Sequence, residues 1–161
     1  MQATLSYAGI GSRKTPVNIL DNMTQIGEWL EGEGWLLRSG GADGADWAFE
    51  YGINFDDHKE IYKAKDASIL HIDHAKMFHP AWDRCSGYAR RLHARNSIIM
   101  LGPKLDDPVD MVICWTPNGE ITGGTGQALR IAKTEGIPVF NLAHSPVHQL
   151  IHIHEFVKGV R

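Results

Sequence analysis

The chain has 161 residues, of which 43% are hydrophobic and 22% charged, and its formal net charge is −3. This length is typical of one domain, which buries roughly 70% of its unfolded surface and folds without a disulfide or a metal. The negative charge argues against a protein that coats DNA non-specifically, although it leaves room for a local basic surface. No signal peptide is evident, and no apolar run reaches the roughly 20 residues that span a bilayer. The two cysteines, Cys85 and Cys114, are too few for a disulfide framework. We therefore expect a cytoplasmic protein with reduced thiols and no membrane partner.

The hydrophobic pattern alternates between short apolar runs and stretches with helical spacing, such as Ile19, Met23, Ile26 and Leu30. The first predicted elements are a strand at 5–10 and a helix that has Thr15 as N-cap and Pro16 as first residue and ends near Gly32. A strand at 35–38, a helix at 43–51 and a strand at 60–62 follow. The rest of the chain is predicted to form a helix at 86–99, a strand at 109–115, a helix at 128–135, a strand at 137–141 and a helix after Ser145. Residues 64–84 show no clean period, so we predict an irregular insertion there.

Strands that alternate with helices imply crossover connections, so the predicted fold class is α/β, with a mainly parallel sheet and helices on both of its faces. The sequence contains no internal repeat, low-complexity stretch or linker, and we expect residues 1–161 to form a single domain. In such sheets, ligands bind at the carboxyl ends of the strands.

The strongest functional signal is the glycine-rich turn at residues 39–46, which joins the second strand to the second helix. Gly40, Gly41 and Gly44 lack a Cβ, so their backbone amides can approach a ligand closely or allow tight helix–strand packing. The helix that follows adds unpaired N–H groups and the positive end of its dipole, which favours an anion such as phosphate. Asp46, in the first turn of that helix, can cap it, hydrogen-bond a ribose hydroxyl or act as a general base.

Two further turns have the same character. The first, at residues 9–16, offers the hydroxyl of Ser12 and the guanidinium of Arg13 to an anion, but it lacks the third glycine of a dinucleotide-binding fingerprint. The other, at residues 116–126, ends in Gly123, Gly124, Thr125 and Gly126, and it suits a phosphate or a sugar edge. Since all three turns follow a strand and precede a helix, we expect them to converge on one edge of the sheet.

The ordered motifs Gly11-Ser12-Arg13, Ser39-Gly40-Gly41-Ala42-Asp43-Gly44-Ala45-Asp46, Arg95-Asn96 and Gly123-Gly124-Thr125-Gly126 resemble the SLOG superfamily. Its members include DNA-processing protein A, the small YspA-like proteins and the Lonely Guy phosphoribohydrolases. The resemblance covers roughly residues 5–62 and 81–142, and it implies a Rossmann-like domain whose loops hold a nucleotide or a nucleotide-derived ligand. By this similarity the pocket is lined by Gly11, Ser12, Arg13, Ser39, Gly40, Gly41, Gly44, Asp46, Arg95, Asn96, Gly123, Gly124 and Thr125. The habit of the family also implies a homodimer or a larger homo-oligomer.

Catalysis stays open at this stage. Lonely Guy enzymes carry a glutamate in the helical turn after their glycine loop, whereas Gln127, Ala128, Leu129 and Arg130 occupy that turn here. Release of a base from a nucleotide would therefore depend on Asp46 or on Glu120.

Two other clusters have competing interpretations. Arg84, Arg90, Arg91 and Arg95, near Trp82 and Tyr88, can track single-stranded nucleic acid, or they can form a solvated helix face. His71, Asp73, His74 and His79 fit no standard zinc spacing, so we expect a polar insertion and no metal site or cofactor. Three functions are thus compatible with the sequence. The preferred one is a protein that senses or sequesters a phosphorylated nucleotide, the second is an N-glycosidic hydrolase or transferase, and the third is a binder of single-stranded nucleic acid.

Overall fold

Five parallel strands form one sheet in the order β3-β2-β1-β4-β5 in the computed structural model, which describes residues 3–160. The strands are β1 (Ser6–Gly9), β2 (Leu36–Ser39), β3 (Lys59–Ile61), β4 (Met111–Cys114) and β5 (Val139–Asn141). Both neighbours of β1 pair with it in parallel register, Tyr7 opposite Leu37 on one side and opposite Met111 on the other. The prediction of a parallel α/β fold is confirmed.

The described residues form six α-helices: α1 (Val17–Gly32), α2 (Ala45–Tyr51), α3 (Ile69–Lys76), α4 (Gly87–Leu101), α5 (Gly123–Glu135) and α6 (Pro146–Gly159). Five of them cover the two faces of the sheet, and α3 packs against α4. Consecutive strand side chains point to opposite faces, so Tyr7 packs in the core under α1, α2 and α6, while Ala8 packs under α4 and α5. The result is a three-layer arrangement. None of the helices in the part of the chain that the structure describes is long and apolar enough to cross a membrane.

The strand order reverses at β1. The chain runs outward from β1 to β2 and β3 and then returns to place β4 and β5 on the opposite side. In doubly wound sheets this reversal opens a crevice at the carboxyl ends of the strands. The turns after β1, β2 and β4, which hold the predicted glycine motifs, border this crevice.

The segment 64–84 differs from the irregular insertion that we predict from the sequence, because it contains helix α3 between short 3₁₀ turns at Ala64–Asp66 and Trp82–Arg84. His71 fixes the start of α3, since its Nδ1 accepts a hydrogen bond from the Ser68 amide at 3.0 Å. Its Nε2 lies 2.7 Å from the carbonyl oxygen of Pro103, to which it donates. Two side chains of α5 hold the far end: Gln127 donates to Ala75 O at 2.9 Å, and Arg130 donates to Phe78 O at 2.7 Å.

Two helix starts also differ from the prediction. Pro16 occupies the N-cap position of α1, and the Thr15 hydroxyl does not cap the helix but donates to Ser12 O at 2.6 Å. Helix α5 begins at Gly123 and not at residue 128 as predicted, so the last glycine motif forms a first helical turn and not a loop.

Candidate functional site

The three turns that follow β1, β2 and β4 border a single cavity of about 560 Å³. Helix α4 closes its remaining side. Nine of the residues singled out in the sequence line this cavity: Gly11, Ser12, Arg13, Asp46, Arg95, Asn96, Gly123, Gly124 and Thr125. The structure therefore brings together motifs that are separated by up to 114 positions in the chain.

The turn after β1 is held tightly against the rest of the sheet edge. The Ser12 amide donates to Trp115 O at 3.1 Å, which ties this turn to the end of β4. Gly11 is required for the approach, because a Cβ there would lie 2.7 Å from the Cβ of Ala45 and 3.0 Å from Trp115 O. Arg13 and Lys14 are exposed at the mouth of the cavity, where both side chains can reach an anion.

The turn after β2 is organised around the carboxylate of Asp46. Its Oδ2 accepts hydrogen bonds from the amides of Gly40, at 3.2 Å, and Ala42, at 3.4 Å. These two amides are among those that we expect to cradle a phosphate, and they are already used within the protein. The turn at 40–44 therefore shapes the cavity floor through Asp46, instead of presenting this whole set of N–H groups to a ligand.

Asp46 and Arg95 form the electrostatic centre of the cavity. Asp46 is 5% exposed, and this burial raises the pKa of its carboxyl to about 6, although the charge of Arg95 and the amides of the turn act in the opposite direction. Arg95 donates through Nη1 to Gly40 O at 2.9 Å and to Tyr62 O at 3.3 Å. Its Nε is buried and has no hydrogen-bond partner among the described residues, and burial lowers the pKa of the guanidinium.

The third wall is the first turn of α5. Its initial amides have no intrahelical acceptor, so they and the helix dipole favour negative charge beside Gly123, Gly124 and Thr125. Asn96 fixes this turn against α4, because its Nδ2 donates to Gly124 O at 3.0 Å. With Arg13, Lys14 and Arg95 on the other walls, three cationic side chains and one helix N-terminus surround one carboxyl group.

Five predicted pocket residues do not line the cavity but support its walls: Ser39, Gly40, Gly41, Gly44 and Gly126. Ser39 is fully buried and donates to Gly9 O at 2.6 Å. Gly44 has φ +86°, and a Cβ there would lie 2.9 Å from both Arg13 Cα and Ser12 O, so it lets the first two turns touch.

Of the two catalytic candidates, the structure brings only Asp46 to the cavity. Glu120 is exposed and lies outside the lining. The 3₁₀ turn Pro117–Gly119 ends immediately before it, and the chain then enters α5. Of these two candidates, only Asp46 could therefore act as a general base in this cavity.

Some lining residues are missed by the sequence interpretation. Ala89, Leu92 and His93 lie seven, four and three residues before Asn96 on α4 and share its face toward the cavity. The helical spacing from Asn96 backward is the signal that would have found them. Lys14, Ala42, Thr116, Pro117 and Thr122 also contribute to the lining.

The basic side chains before and along α4 have different environments. Arg90 donates to Trp82 O at 3.1 Å and its guanidinium lies 5.3 Å from the Trp82 ring centroid, so it packs within the protein. Arg84 and Arg91 are exposed, and Tyr88 is 67% exposed. The exposed cationic surface is therefore smaller than the sequence suggests.

The strand order and the crevice at its reversal define a Rossmann-like α/β domain. The fold is similar to that of DNA processing protein A from Helicobacter pylori, a protein described by its single-stranded DNA binding mode, with a TM-score of 0.56 and 17% sequence identity. The match covers 85% of this chain and 64% of that protein, so the chain spans less than two thirds of its length. No protein-family model matches the chain. No curated protein matches it either.

Proposed function

We propose that this protein binds a phosphorylated nucleotide, or a ligand derived from one, in the cavity between the three turns, and that it is a divergent member of the SLOG superfamily. The observation that carries the proposal is the meeting of Arg13, Lys14, Arg95 and the α5 N-terminus around one cavity. A phosphate placed there has several cationic and N–H partners and a single competing carboxyl. The volume of about 560 Å³ suits a mononucleotide-sized ligand.

Each wall has a distinct role in this proposal. Arg13 and Lys14 bind the phosphate at the mouth, and the α5 amides bind phosphate or sugar oxygens. Asp46 accepts a hydrogen bond from the ribose or the base. Asn96 positions the α5 turn through Gly124 O.

Calorimetric titration with the four common nucleoside monophosphates tests the proposal, with the matching nucleosides and inorganic phosphate as comparators. Loss of a charge-assisted hydrogen bond in Arg13→Ala should cost about 1.5–3 kcal/mol, or roughly 10- to 150-fold in affinity. Lys76→Ala, which removes an exposed charge on α3 away from the cavity, is the matched control and should bind normally. The absence of binding by any monophosphate, or equal affinity in Arg13→Ala, would contradict the proposal.

Native mass spectrometry of protein purified from its host extends this test. A retained small molecule would identify the base and the number of phosphates. The same spectrum reports whether the chain is a homodimer or a larger oligomer, as the family resemblance implies.

A second candidate function is N-glycosidic cleavage of the bound nucleotide. It is favoured by Asp46, a buried carboxyl whose pKa of about 6 lies close to the range for general acid–base work. Incubation with nucleoside monophosphates followed by chromatography for free base separates cleavage from binding. Cleavage should disappear in Asp46→Asn and persist in Glu120→Gln.

The third candidate is binding of single-stranded nucleic acid. It is favoured by the fold similarity to DNA processing protein A and by the exposed side chains of Arg84, Tyr88 and Arg91 before and along α4. Its expected signature is a steep salt dependence of oligothymidine binding. Arg91→Ala should reduce the slope of log affinity against log salt by about 1. An unchanged slope in that variant would remove α4 from the interface.

A further inference from the structure

Three metal-ligating side chains meet where the chain between α3 and α4 folds back onto α4. One ligand atom from each of His79, Cys85 and His93 lies within 4.8 Å of the other two. The Cys85 Sγ is 3.9 Å from His79 Nδ1 and 3.8 Å from His79 Nε2. The ring centroids of His79 and His93 are 4.3 Å apart.

The fold creates this cluster from residues whose spacing fits no standard zinc motif. Trp82 is buried against Ala75 and Ala94, which holds the intervening turn on α4. Arg90 packs over the Trp82 ring and donates to Trp82 O, which also fixes this turn. Our expectation of no metal site concerns His71, Asp73, His74 and His79, and of these only His79 joins the cluster.

The hydrogen bonds of the two imidazoles are suited to ligation. His79 Nδ1 accepts from the Ala81 amide at 3.0 Å, so this nitrogen carries a lone pair. The Arg130 guanidinium is close enough to both rings to act on them electrostatically. His93 Nδ1 is buried with no hydrogen-bond partner among the described residues.

We propose that His79, Cys85 and His93 form a site for one Zn²⁺ ion, bound by two imidazole nitrogens and one thiolate. Mixed nitrogen and sulfur donors favour Zn²⁺ over the hard cations Mg²⁺ and Ca²⁺. Zn–N and Zn–S bonds of about 2.0 and 2.3 Å in a tetrahedron separate sulfur from nitrogen by about 3.5 Å. The observed 3.8–3.9 Å separations need to contract by only a few tenths of an ångström.

Binding has two costs, and both are local. The Cys85 thiol loses its proton to solvent, and the resulting thiolate offsets part of the repulsion between the ion and Arg130. His79 Nδ1 now accepts from the Ala81 amide at 3.0 Å, so ligation through this nitrogen exchanges that hydrogen bond for the metal. Three protein ligands leave a fourth position for water or another donor. Because His93 also lines the main cavity, the ion would adjoin the proposed nucleotide site.

The test is metal content and Zn²⁺ titration of tag-free protein. We expect one Zn²⁺ per chain, removed by a chelator and restored by added Zn²⁺ with a rise in melting temperature. Cys85→Ser and His93→Ala should each weaken Zn²⁺ by more than the roughly 10- to 100-fold that loss of an outer-sphere partner costs. The matched control is the double variant His148→Ala/His152→Ala, which removes two exposed histidines of α6 and should keep the full metal content.

Cobalt substitution gives a readout that does not depend on any variant folding. Co²⁺ bound by the wild-type chain should show a thiolate-to-cobalt charge-transfer band and the strong visible absorption of a tetrahedral site. Absence of bound metal, absence of that band, or loss of metal in the α6 variant together with its retention in Cys85→Ser would overturn the proposal. Nucleotide binding is measured separately, so failure of one site leaves the other standing.

Discussion

Replacement of Asp46 by asparagine should change the pH dependence of stability. Asp46 is almost fully buried beneath the turn after β2, and burial raises the pKa of its carboxyl from 3.8 to about 6 against the opposing charge of Arg95. Because the folded-state pKa lies above the unfolded value, the folded protein holds its proton more strongly. The stability that this group contributes is complete below about pH 4 and is lost as the pH rises through about 6.

The magnitude follows from the two pKa values. A shift of about two units corresponds to about 3 kcal/mol, at roughly 1.36 kcal/mol per unit. The asparagine side chain of the variant keeps an oxygen that can accept from Gly40 and Ala42 but cannot ionise. The difference in the free energy of unfolding between wild type and Asp46→Asn should therefore change by about 3 kcal/mol, in favour of the variant, between about pH 4 and about pH 8.

Urea unfolding followed by tryptophan fluorescence at intervals across this range measures the effect. Comparing two pH profiles cancels any constant cost of the amide. Asp43→Asn, an exposed carboxylate on the same turn, is the control and should track the wild type within about 0.5 kcal/mol. Parallel profiles for wild type and Asp46→Asn would refute the reasoning, because they would mean that burial does not hold the proton on Asp46.

Three further predictions concern packing. Gly44→Ala should lower the free energy of unfolding in urea by at least about 1–2 kcal/mol, because φ is +86° and the new Cβ meets backbone atoms. Gly87→Ala, whose Cβ meets no atom within 4 Å, is the control and should keep the wild-type value; equal stabilities of the two variants would contradict the assigned turn. Arg38→Met should lower the free energy of unfolding by about 1–3 kcal/mol, since Arg38 is 3% exposed and its guanidinium donates to two carboxylates and a carbonyl. An unchanged urea midpoint would disprove a stabilising network. In native protein a thiol reagent should modify Cys85 after chelation but not Cys114, whose pKa burial raises to about 12; early labelling of Cys114 would show that the sheet opens.

The sheet and most helices could be predicted because successive residues of β1 and β4 enter two different apolar cores, and because α1 keeps a regular helical spacing. Helix α3 could not, since its pattern is reversed. Ile69, Leu70 and Met77 are more than half exposed, whereas His71 and Ala75 point inward. Because the inward-facing residue at the start of this helix is a histidine, the segment lacks the hydrophobic period that predicts a helix.

The candidate site was predictable to the level of its turns. The glycines indicate these turns in the sequence because only glycine tolerates a positive φ and such close backbone contacts. The role of each backbone amide could not be predicted, because the amides of Gly40 and Ala42 donate hydrogen bonds to Asp46 only in the folded chain. The same holds for His93, whose neighbours come from a segment that the sequence shows as irregular. The identity of the ligand and the oligomeric state stay predictions.

The tie between α3 and α5 has a consequence for engineering this domain. Gln127 and Arg130 donate hydrogen bonds to the backbone carbonyls of Ala75 and Phe78. Both residues belong to α5, the helix whose first turn lines the cavity. Excising residues 64–84 would leave a buried amide and a guanidinium without their acceptors one helical turn from the ligand site. Grafts, truncations and circular permutations should therefore keep this stretch intact and place new ends elsewhere on the surface.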